Sequence, residues 1–237
     1  MRLLSQIILL SLLSIAWGSM KAETIEKDTF DVGGKSLSIS FIGHGSLCMD
    51  YDGYIIQIDP VGRYTDYSQQ PDADLILITH AHGDHLDSNA VVQVEKANTV
   101  ILLNEESQKK LQKGKVMKNG DTETVNGIRI KAVPAYNPNR PQHPKGRDNG
   151  YLLEIGNKRI YVAGDTEDIP ELANLKGIDI AFLPINRPTM TIDQAVNAAR
   201  IIKPAILYPY HYADTDVEQL ITKLADQKID IRIRSLQ

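Results

Sequence analysis

Cysteine is almost absent from this chain. The single cysteine, Cys48, excludes an internal disulfide and the thiolate-rich ligand sets of structural zinc sites. It lies in an apolar stretch, where we expect it to pack as a small hydrophobic side chain. An excess of positive charge is also missing. The 26 basic and 30 acidic residues give a net charge of −4, which argues against a nucleic-acid partner.

Long apolar runs are missing too, except at the N-terminus, where residues 3–17 follow Arg2. This run is shorter than the roughly 20 residues that a membrane-spanning helix needs. Small residues follow it at Gly18 and Ala22. The pattern predicts a signal peptide over residues 1–22, cleaved after Gly18 or Ala22, and an exported protein, periplasmic or secreted, with no stable membrane partner. An uncleaved N-terminal anchor is the alternative.

The remaining residues, 23–237, fit one domain with a sizeable core. Short β-branched runs are separated by dipeptides typical of hairpin turns, such as Asp52-Gly53 and Asn126-Gly127. The last third alternates strands and helices, with a capping box at Thr191 and Gln194. This pattern predicts an α/β (α+β) fold of two mixed sheets packed face to face with helices outside. We expect the helices at residues 88–96, 105–112, 191–202 and 217–227.

The densest group of reactive side chains lies in Thr79–Asp87, where nine residues hold three histidines and two carboxylates. A buried strand precedes this stretch, so His80 and His82 project from one face where the strand ends. We expect one metal ion held by His80 and His82 and a second beside it held by Asp84 and His85. Imidazole and carboxylate donors suit zinc, but also iron or manganese.

Other predicted strands present single polar side chains at their ends. Asp165 follows a strand across Gly164, and His211 ends another. Gly-Asp-Thr is common turn chemistry and one histidine proves little, but their shared position at strand ends makes both candidate ligands. Asp59 also ends a strand, where it can accept the free N–H of a metal-bound histidine. The alternative is a plain Asp-Pro turn.

Taken together, these motifs resemble the metallo-β-lactamase-fold hydrolase superfamily. The similarity rests on His80-x-His82-x-Asp84-His85, Gly164-Asp165-Thr166 and the strand-terminal His211, and extends back through Ile58-Asp59-Pro60 to Phe41-Ile42-Gly43-His44-Gly45. It looks closest to the branch of the L-ascorbate-6-phosphate lactonases, through Pro134-Ala135-Tyr136-Asn137, His143-Pro144-Lys145-Gly146 and Leu183-Pro184. The resemblance implies a four-layer αββα sandwich with two divalent metal ions. One ion would take His80 and His82, the other Asp84, His85 and His211, and Asp165 would bridge them.

The chain departs from the family at one point. The family usually has a third histidine on the first metal just after the strand that ends at residues 133–135, where this chain has Tyr136-Asn137. His143 follows a few residues later, and is a third ligand, a substrate contact or an inert surface residue. His44 is a second candidate for the pocket, and a place in the core or beside the ligands fits it better than ligation.

Such a site predicts hydrolysis. Water bound to zinc or between two metal ions has a pKa near 7, so a metal-bound hydroxide can attack an ester, lactone, amide or phosphodiester. Asp84 would hold the metal and orient the hydroxide. Cations on nearby loops would favour a small anionic substrate. The candidate substrate-binding residues are Tyr136, Asn137, Lys145, Arg147 and Arg187.

Three alternative functions fit the same ligands. A β-lactamase would use the same hydrolytic chemistry, and a mononuclear-iron oxygenase would need redox-active iron at the site. A non-catalytic metal-binding protein is the third, favoured only by the missing third histidine.

Overall fold

The computed structural model describes residues 25–138, 140–186 and 188–236, so the predicted signal peptide and Arg187 lie outside the described residues. Two sheets of seven strands pack face to face. The first contains, in spatial order, β1 (Glu26–Val32), β2 (Lys35–Gly43), β3 (Ser46–Tyr51), β4 (Tyr54–Ile58), β5 (Ala73–Leu77), β6 (Glu95–Leu103) and β7 (Lys115–Val116). The second contains β8 (Thr122–Val125), β9 (Ile128–Ala135), β10 (Asp148–Ile155), β11 (Lys158–Val162), β12 (Ile180–Pro184), β13 (Ile206–Tyr210) and β14 (Asp230–Ile231).

Both sheets are mixed in the same way. In each, the first four strands pair antiparallel and the last three continue parallel. Asp52 and Gly53 have φ values of 53° and 87°, and Asn126 and Gly127 have 48° and 76°. Positive φ at both central residues is what a two-residue hairpin turn with the right twist requires. The sandwich of two mixed sheets and both hairpins are therefore confirmed.

Four helices lie outside the sheets in the described part of the chain: α1 (Ser88–Val94), α2 (Glu105–Leu111), α3 (Ile192–Ile202) and α4 (Gln219–Lys223). The Asp87 side chain caps α1, and Thr191 with Gln194 forms the predicted capping box of α3. The predicted end of the first helix at residue 96 is wrong, because Glu95 is extended and pairs with Ala73 of β5.

The last helix is also shorter than predicted. It spans five residues rather than 217–227, and Glu218, at its N-cap, makes no side-chain cap hydrogen bond. A capping pair at Thr215 and Glu218 therefore does not start this helix. None of the described helices is long and apolar enough to cross a membrane.

Strand β5 shows how the core is divided. Leu75 and Leu77 face the second sheet, whereas Ile76 and Ile78 join a smaller cluster with Val91 of α1. Side chains alternate along a strand, so a run that is apolar at every position is covered on both faces. This burial fixes the end of β5, and with it the histidines that follow.

The C-terminal strand is tied to the N-terminal strand through Asp28. Its carboxylate accepts hydrogen bonds from Arg234 at 2.8 Å, Arg232 at 3.2 Å and the Tyr208 hydroxyl. Burial by itself would raise the pKa of Asp28, but these donors outweigh it and lower that pKa below its ordinary 3.8. The charged form is therefore the one that the fold stabilises.

We expect Asp28→Asn to lower the free energy of unfolding by about 2 kcal/mol near pH 7, the size typical of hydrogen bonds to a charged group. Because the folded-state pKa is the lower one, this contribution is complete above about pH 5 and is lost as the pH falls below 3.8. Urea titrations of both proteins across this range measure it. Asp226→Asn, which removes an exposed pair with Arg200, is the control and should leave the free energy of unfolding nearly unchanged across this pH range. A pH-independent difference would contradict the assignment.

Candidate metal centre

Polar side chains from both sheets meet at one edge of the sandwich. Asp59 follows β4, His80 follows β5, Asp165 follows β11 and His211 follows β13. Parallel strands end at the same edge of a sheet, so the loops that leave them are close together although they are far apart in sequence. The chain has six histidines, and all six lie in two adjacent groups at this edge.

The first group contains His80, His82, His143 and Asp165. Nε2 of His80 lies 3.2 Å from Nδ1 of His82 and 3.9 Å from Oδ2 of Asp165. Nε2 of His143 lies 3.4 Å from the same oxygen. His143, which the sequence left with three interpretations, is thus buried beside His80 and His82 and is not an inert surface residue.

The second group contains His44, Asp84, His85 and His211. Oδ2 of Asp84 lies 3.3 Å from Nε2 of His44 and 3.8 Å from Nε2 of His211. Asp165 touches this group as well, with its two oxygens 3.2 Å from Nε2 of His85 and 3.5 Å from Nε2 of His211. It therefore lies between the two groups.

Several buried atoms of these groups lack hydrogen bonds within the described chain. They are Nε2 of His85, both ring nitrogens of His211 and Oδ1 of Asp165. Although Nε2 of His85 lies 3.2 Å from Oδ1 of Asp165, the two are not aligned as a hydrogen bond. Buried polar atoms without partners are costly. Imidazole nitrogens and carboxylate oxygens that converge in this way fit divalent metal ions.

The local electrostatics keep two of the histidines neutral and Asp84 charged, whereas His85 is held in its protonated form by the carboxylates around it. Burial lowers the pKa of His80 well below 6.5 and that of His211 to about 4, so both rings are neutral at pH 7 and keep a free lone pair. The hydrogen bond from His44 is the main cause of the lowered pKa of Asp84. Burial would also lower the pKa of His85, but the carboxylates of Asp165 and Asp59 outweigh it and raise that pKa well above 6.5.

Asp59 holds the ring of His85 from behind. Its Oδ2 lies 2.7 Å from Nδ1 of His85, and its carboxylate accepts the Thr79 backbone N–H at 2.7 Å and the Thr79 hydroxyl at 2.6 Å. With Nδ1 occupied by Asp59, His85 presents Nε2 to the group. The carboxylate thus has the contacts predicted for a residue beside the ligands, and Thr79, which the sequence did not single out, orients it.

We expect Asp59→Asn to weaken metal binding by about 10- to 100-fold, because the amide no longer fixes the tautomer of His85. Metal titration followed by competition with a chromogenic chelator measures this change. Gln57→Glu, at a buried position on the same strand, tests whether any altered charge nearby has this effect. If Asp59→Asn bound metal as tightly as the wild type, the Asp59 carboxylate would have no role in metal binding and would only form the turn after the strand.

Asp148 has the same relation to His143 and was not found from the sequence. Its Oδ2 lies 3.0 Å from Nδ1 of His143, and Asn104, the N-cap of α2, donates to its Oδ1 at 3.0 Å. Arg147 also binds this carboxylate, at 2.8 Å. The only signal in the sequence was an acidic residue at the start of a strand, five positions after a histidine.

The predicted substrate-binding side chains are mostly engaged with other residues. Lys145 lies 2.8 Å from Glu171, which also accepts a hydrogen bond from the Tyr136 hydroxyl. Arg147 pairs with Asp148 and with Glu106, and Asn137 donates to the Pro188 carbonyl. These contacts would have to open before the side chains reached a substrate, so substrate binding by them stays a prediction.

Comparison with known proteins agrees with the fold. Residues 38–211 match the family model described as the beta-lactamase superfamily domain. The chain is 32% identical to the UPF0173 metal-dependent hydrolases of Nanoarchaeum equitans and Pyrococcus horikoshii, over 74% of this chain and 84% of each relative. The prediction of a specific lactonase branch is not matched by these relatives.

Two solved structures are similar to this chain in fold. A metal-dependent hydrolase candidate from Parabacteroides distasonis is 56% identical, covers 90% of this chain and all of its own, and superposes with a TM-score of 0.89. The metallo hydrolase Igni18 of Ignicoccus hospitalis, at 24% identity and a TM-score of 0.72, shares the fold, over 84% of this chain and 95% of its own. The chain belongs to the beta-lactamase superfamily and, within it, to the UPF0173 metal-dependent hydrolases.

Proposed function

We propose that this protein hydrolyses an ester or lactone bond of a small molecule with two divalent metal ions held side by side. The observation that supports this most is the position of Asp165, whose two oxygens lie within 3.2–3.5 Å of His85, His143 and His211. A carboxylate between two groups of histidines is the arrangement that a two-metal hydrolase needs. Zinc suits the imidazole-rich set best, and manganese or iron are the alternatives.

The ligand roles follow the two groups. His80, His82 and His143 would hold the first ion, Asp84, His85 and His211 the second, and Asp165 would contact both. Ions bound there would supply an acidified water and a Lewis acid for the substrate oxygen. Asp59 and Asp148 orient the histidines through their other ring nitrogens.

Asp84 is the catalytic residue in this proposal. Its carboxylate is 36% exposed, whereas that of Asp165 is 5% exposed, so Asp84 is the acidic group of the centre that a substrate reaches. The low pKa of Asp84 keeps its carboxylate ionised at neutral pH, so it accepts hydrogen bonds without taking up a proton. It would orient the attacking water by accepting its hydrogen bond.

The substrate class is a finer inference. We place lactones and esters ahead of amides and phosphodiesters because the motifs around Asn137, His143 and Pro184 resemble those of the L-ascorbate-6-phosphate lactonases. An anionic group on the substrate would suit the cationic loops near the centre. Arg187→Ala should then raise KM for anionic substrates much more than for their neutral analogues, and equal effects would remove this part of the proposal.

The test is metal removal and reconstitution on residues 23–237. The chelated protein should hydrolyse none of a panel of lactones, esters, phosphodiesters and β-lactams. Zinc or manganese should restore turnover of a lactone or an ester, and Asp84→Asn should lose it even when enough metal is added to fill both sites. If the protein bound its full complement of metal but hydrolysed nothing in the panel, it would be a metal-binding protein without hydrolase activity. Substrate-dependent oxygen consumption by the iron form would indicate an oxygenase instead.

We also propose that the chain is exported and cleaved after Gly18 or Ala22. The apolar run at residues 3–17 and the small residues after it support this. Cell fractionation followed by N-terminal sequencing of the mature protein tests it. A protein that retains Met1 in the membrane fraction would favour the N-terminal anchor.

A further inference from the structure

We propose that His44 is a ligand of the second metal ion and makes the two sites unequal, with five protein donors at the second site and four at the first. The second site would then offer five donors to an ion that accepts more than four ligands, such as Mn²⁺ or Fe²⁺, whereas the four donors of the first site suit zinc. This proposal rests on the two-metal function, and adds a ligand and a metal preference to it.

The spacing of the donor atoms supports ligation. Around one ion with bonds of about 2.1 Å, neighbouring donor atoms lie roughly 3.0–3.5 Å apart. In the first group the pairs are separated by 3.2, 3.4 and 3.9 Å. In the second group, His44 lies 3.3 Å from Asp84, and His211 lies 3.8 Å from the same oxygen. His44 thus lies at least as close to Asp84 as His211 does, and its ring nitrogen lies within 4.8 Å of the other ligand atoms of the group.

The backbone and the neighbouring rings hold His44 in this position. Its φ of 53° lies in the left-handed region, which is costly for a residue with a side chain and is typical of functional sites. Its carbonyl accepts the backbone N–H of His211 at 3.2 Å, and the centroids of the two rings are 3.7 Å apart. The ring of Tyr64 also stacks on that of His44, with the centroids 5.5 Å apart and the planes inclined by 18°.

Gly43 makes this stacking feasible. A Cβ at this position would lie 3.1 Å from the Cβ of Tyr64 and 3.2 Å from its ring. The ring of His44 therefore packs against both Tyr64 and His211, with only 13% of the side chain exposed and Nε2 3.3 Å from Oδ2 of Asp84. An ordinary surface histidine would not need this packing.

The donor count sets the metal preference. The first site has His80, His82, His143 and Asp165, which is a tetrahedral set typical of zinc. The second has Asp84, His85, His211, His44 and the shared Asp165. Five protein donors would leave one position for water on a six-coordinate ion such as Mn²⁺ or Fe²⁺, both of which accept mixed imidazole and carboxylate ligands.

The competing role for His44 is a hydrogen bond to Asp84 without ligation. Glutamine separates the two roles, because its amide N–H can still donate to Asp84 whereas it cannot supply an imidazole ring. Co²⁺ substitution provides a readout independent of turnover, since each bound imidazole contributes one hyperfine-shifted ring N–H proton signal. Co²⁺ absorption bands also distinguish four-coordinate from six-coordinate ions.

We expect His44→Gln and His44→Ala to lose one shifted N–H signal, to weaken Mn²⁺ binding at the second site at least 10-fold and to leave the first site unchanged. His143→Gln is the matched control, and should lose a signal from the first site while Mn²⁺ binding persists. Unchanged signals in His44→Gln with two bound ions would overturn the ligand role alone. A wild-type protein that binds no second ion would overturn the two-metal function itself.

Discussion

Asp165→Asn is expected to lower kcat/KM at least about 100-fold and to reduce metal content at both sites. The carboxylate lies between the two histidine groups, and its charge faces His85, His143 and His211 at 3.2–3.5 Å. Loss of a residue that merely orients a ligand costs 10- to 100-fold, so loss of a ligand shared by two ions should cost more. Steady-state kinetics and metal analysis of the same preparations measure both effects.

Asp168→Asn is the control for this variant. Asp168 lies three residues away on the same loop, where it accepts a hydrogen bond from Asn197 at 2.7 Å and touches neither group. It should keep two metal ions and wild-type kcat/KM. If Asp165→Asn lost only one ion and kept most of its activity, Asp165 would belong to a single site.

Gly45→Ala is expected to have the second large effect, with kcat/KM falling about 100-fold. A Cβ at Gly45 would lie 2.7 Å from Cε1 and 2.9 Å from Nδ1 of His85. The ring cannot move aside, because it is fully buried and bonded to Asp59 at 2.7 Å. A displacement of about 1 Å in a catalytic centre can cost 100-fold. Metal titration should also show weaker binding at the second site.

Gly83→Ala is the matched control, in the histidine loop itself. A Cβ there meets no described atom within 4 Å, and the φ of Gly83 is not in the left-handed region. Its metal content and kcat/KM should match the wild type. Equal losses in both variants would indicate a general sensitivity of the loops rather than displacement of His85.

The role of His143 could not be predicted from the sequence. The sequence placed it in a loop eight positions beyond Ala135, the last residue of β9, so it remained a ligand, a substrate contact or a surface residue. The loop folds back because the Asn137 N–H donates to the His143 carbonyl and Asp148 takes Nδ1 of the ring. Spacing along an irregular loop cannot reveal such a closure, because it depends on a contact with Asp148 at the start of the next strand.

The ion-pair partners of Lys145 and Arg147 could not be predicted from the sequence either. From the sequence, Lys145 and Arg147 are positively charged side chains on loops near the site, which suggested a bound anion. The partners are instead Glu171 for Lys145 and Asp148 for Arg147. Glu171 lies 26 positions after Lys145, so only the folded chain brings the two together. A charge pattern predicts that cations are present, but not which carboxylate neutralises them.

The sequence by itself determined the sandwich of mixed sheets, the hairpin turns and the histidine motif at the end of β5, because these depend on alternation, turn chemistry and spacing over a few residues. The tertiary structure decided which distant side chains join that motif. His44, His143 and Asp148 reach the centre because strands from two different sheets end at one edge, and their pairing is fixed by burial of both faces rather than by any local pattern.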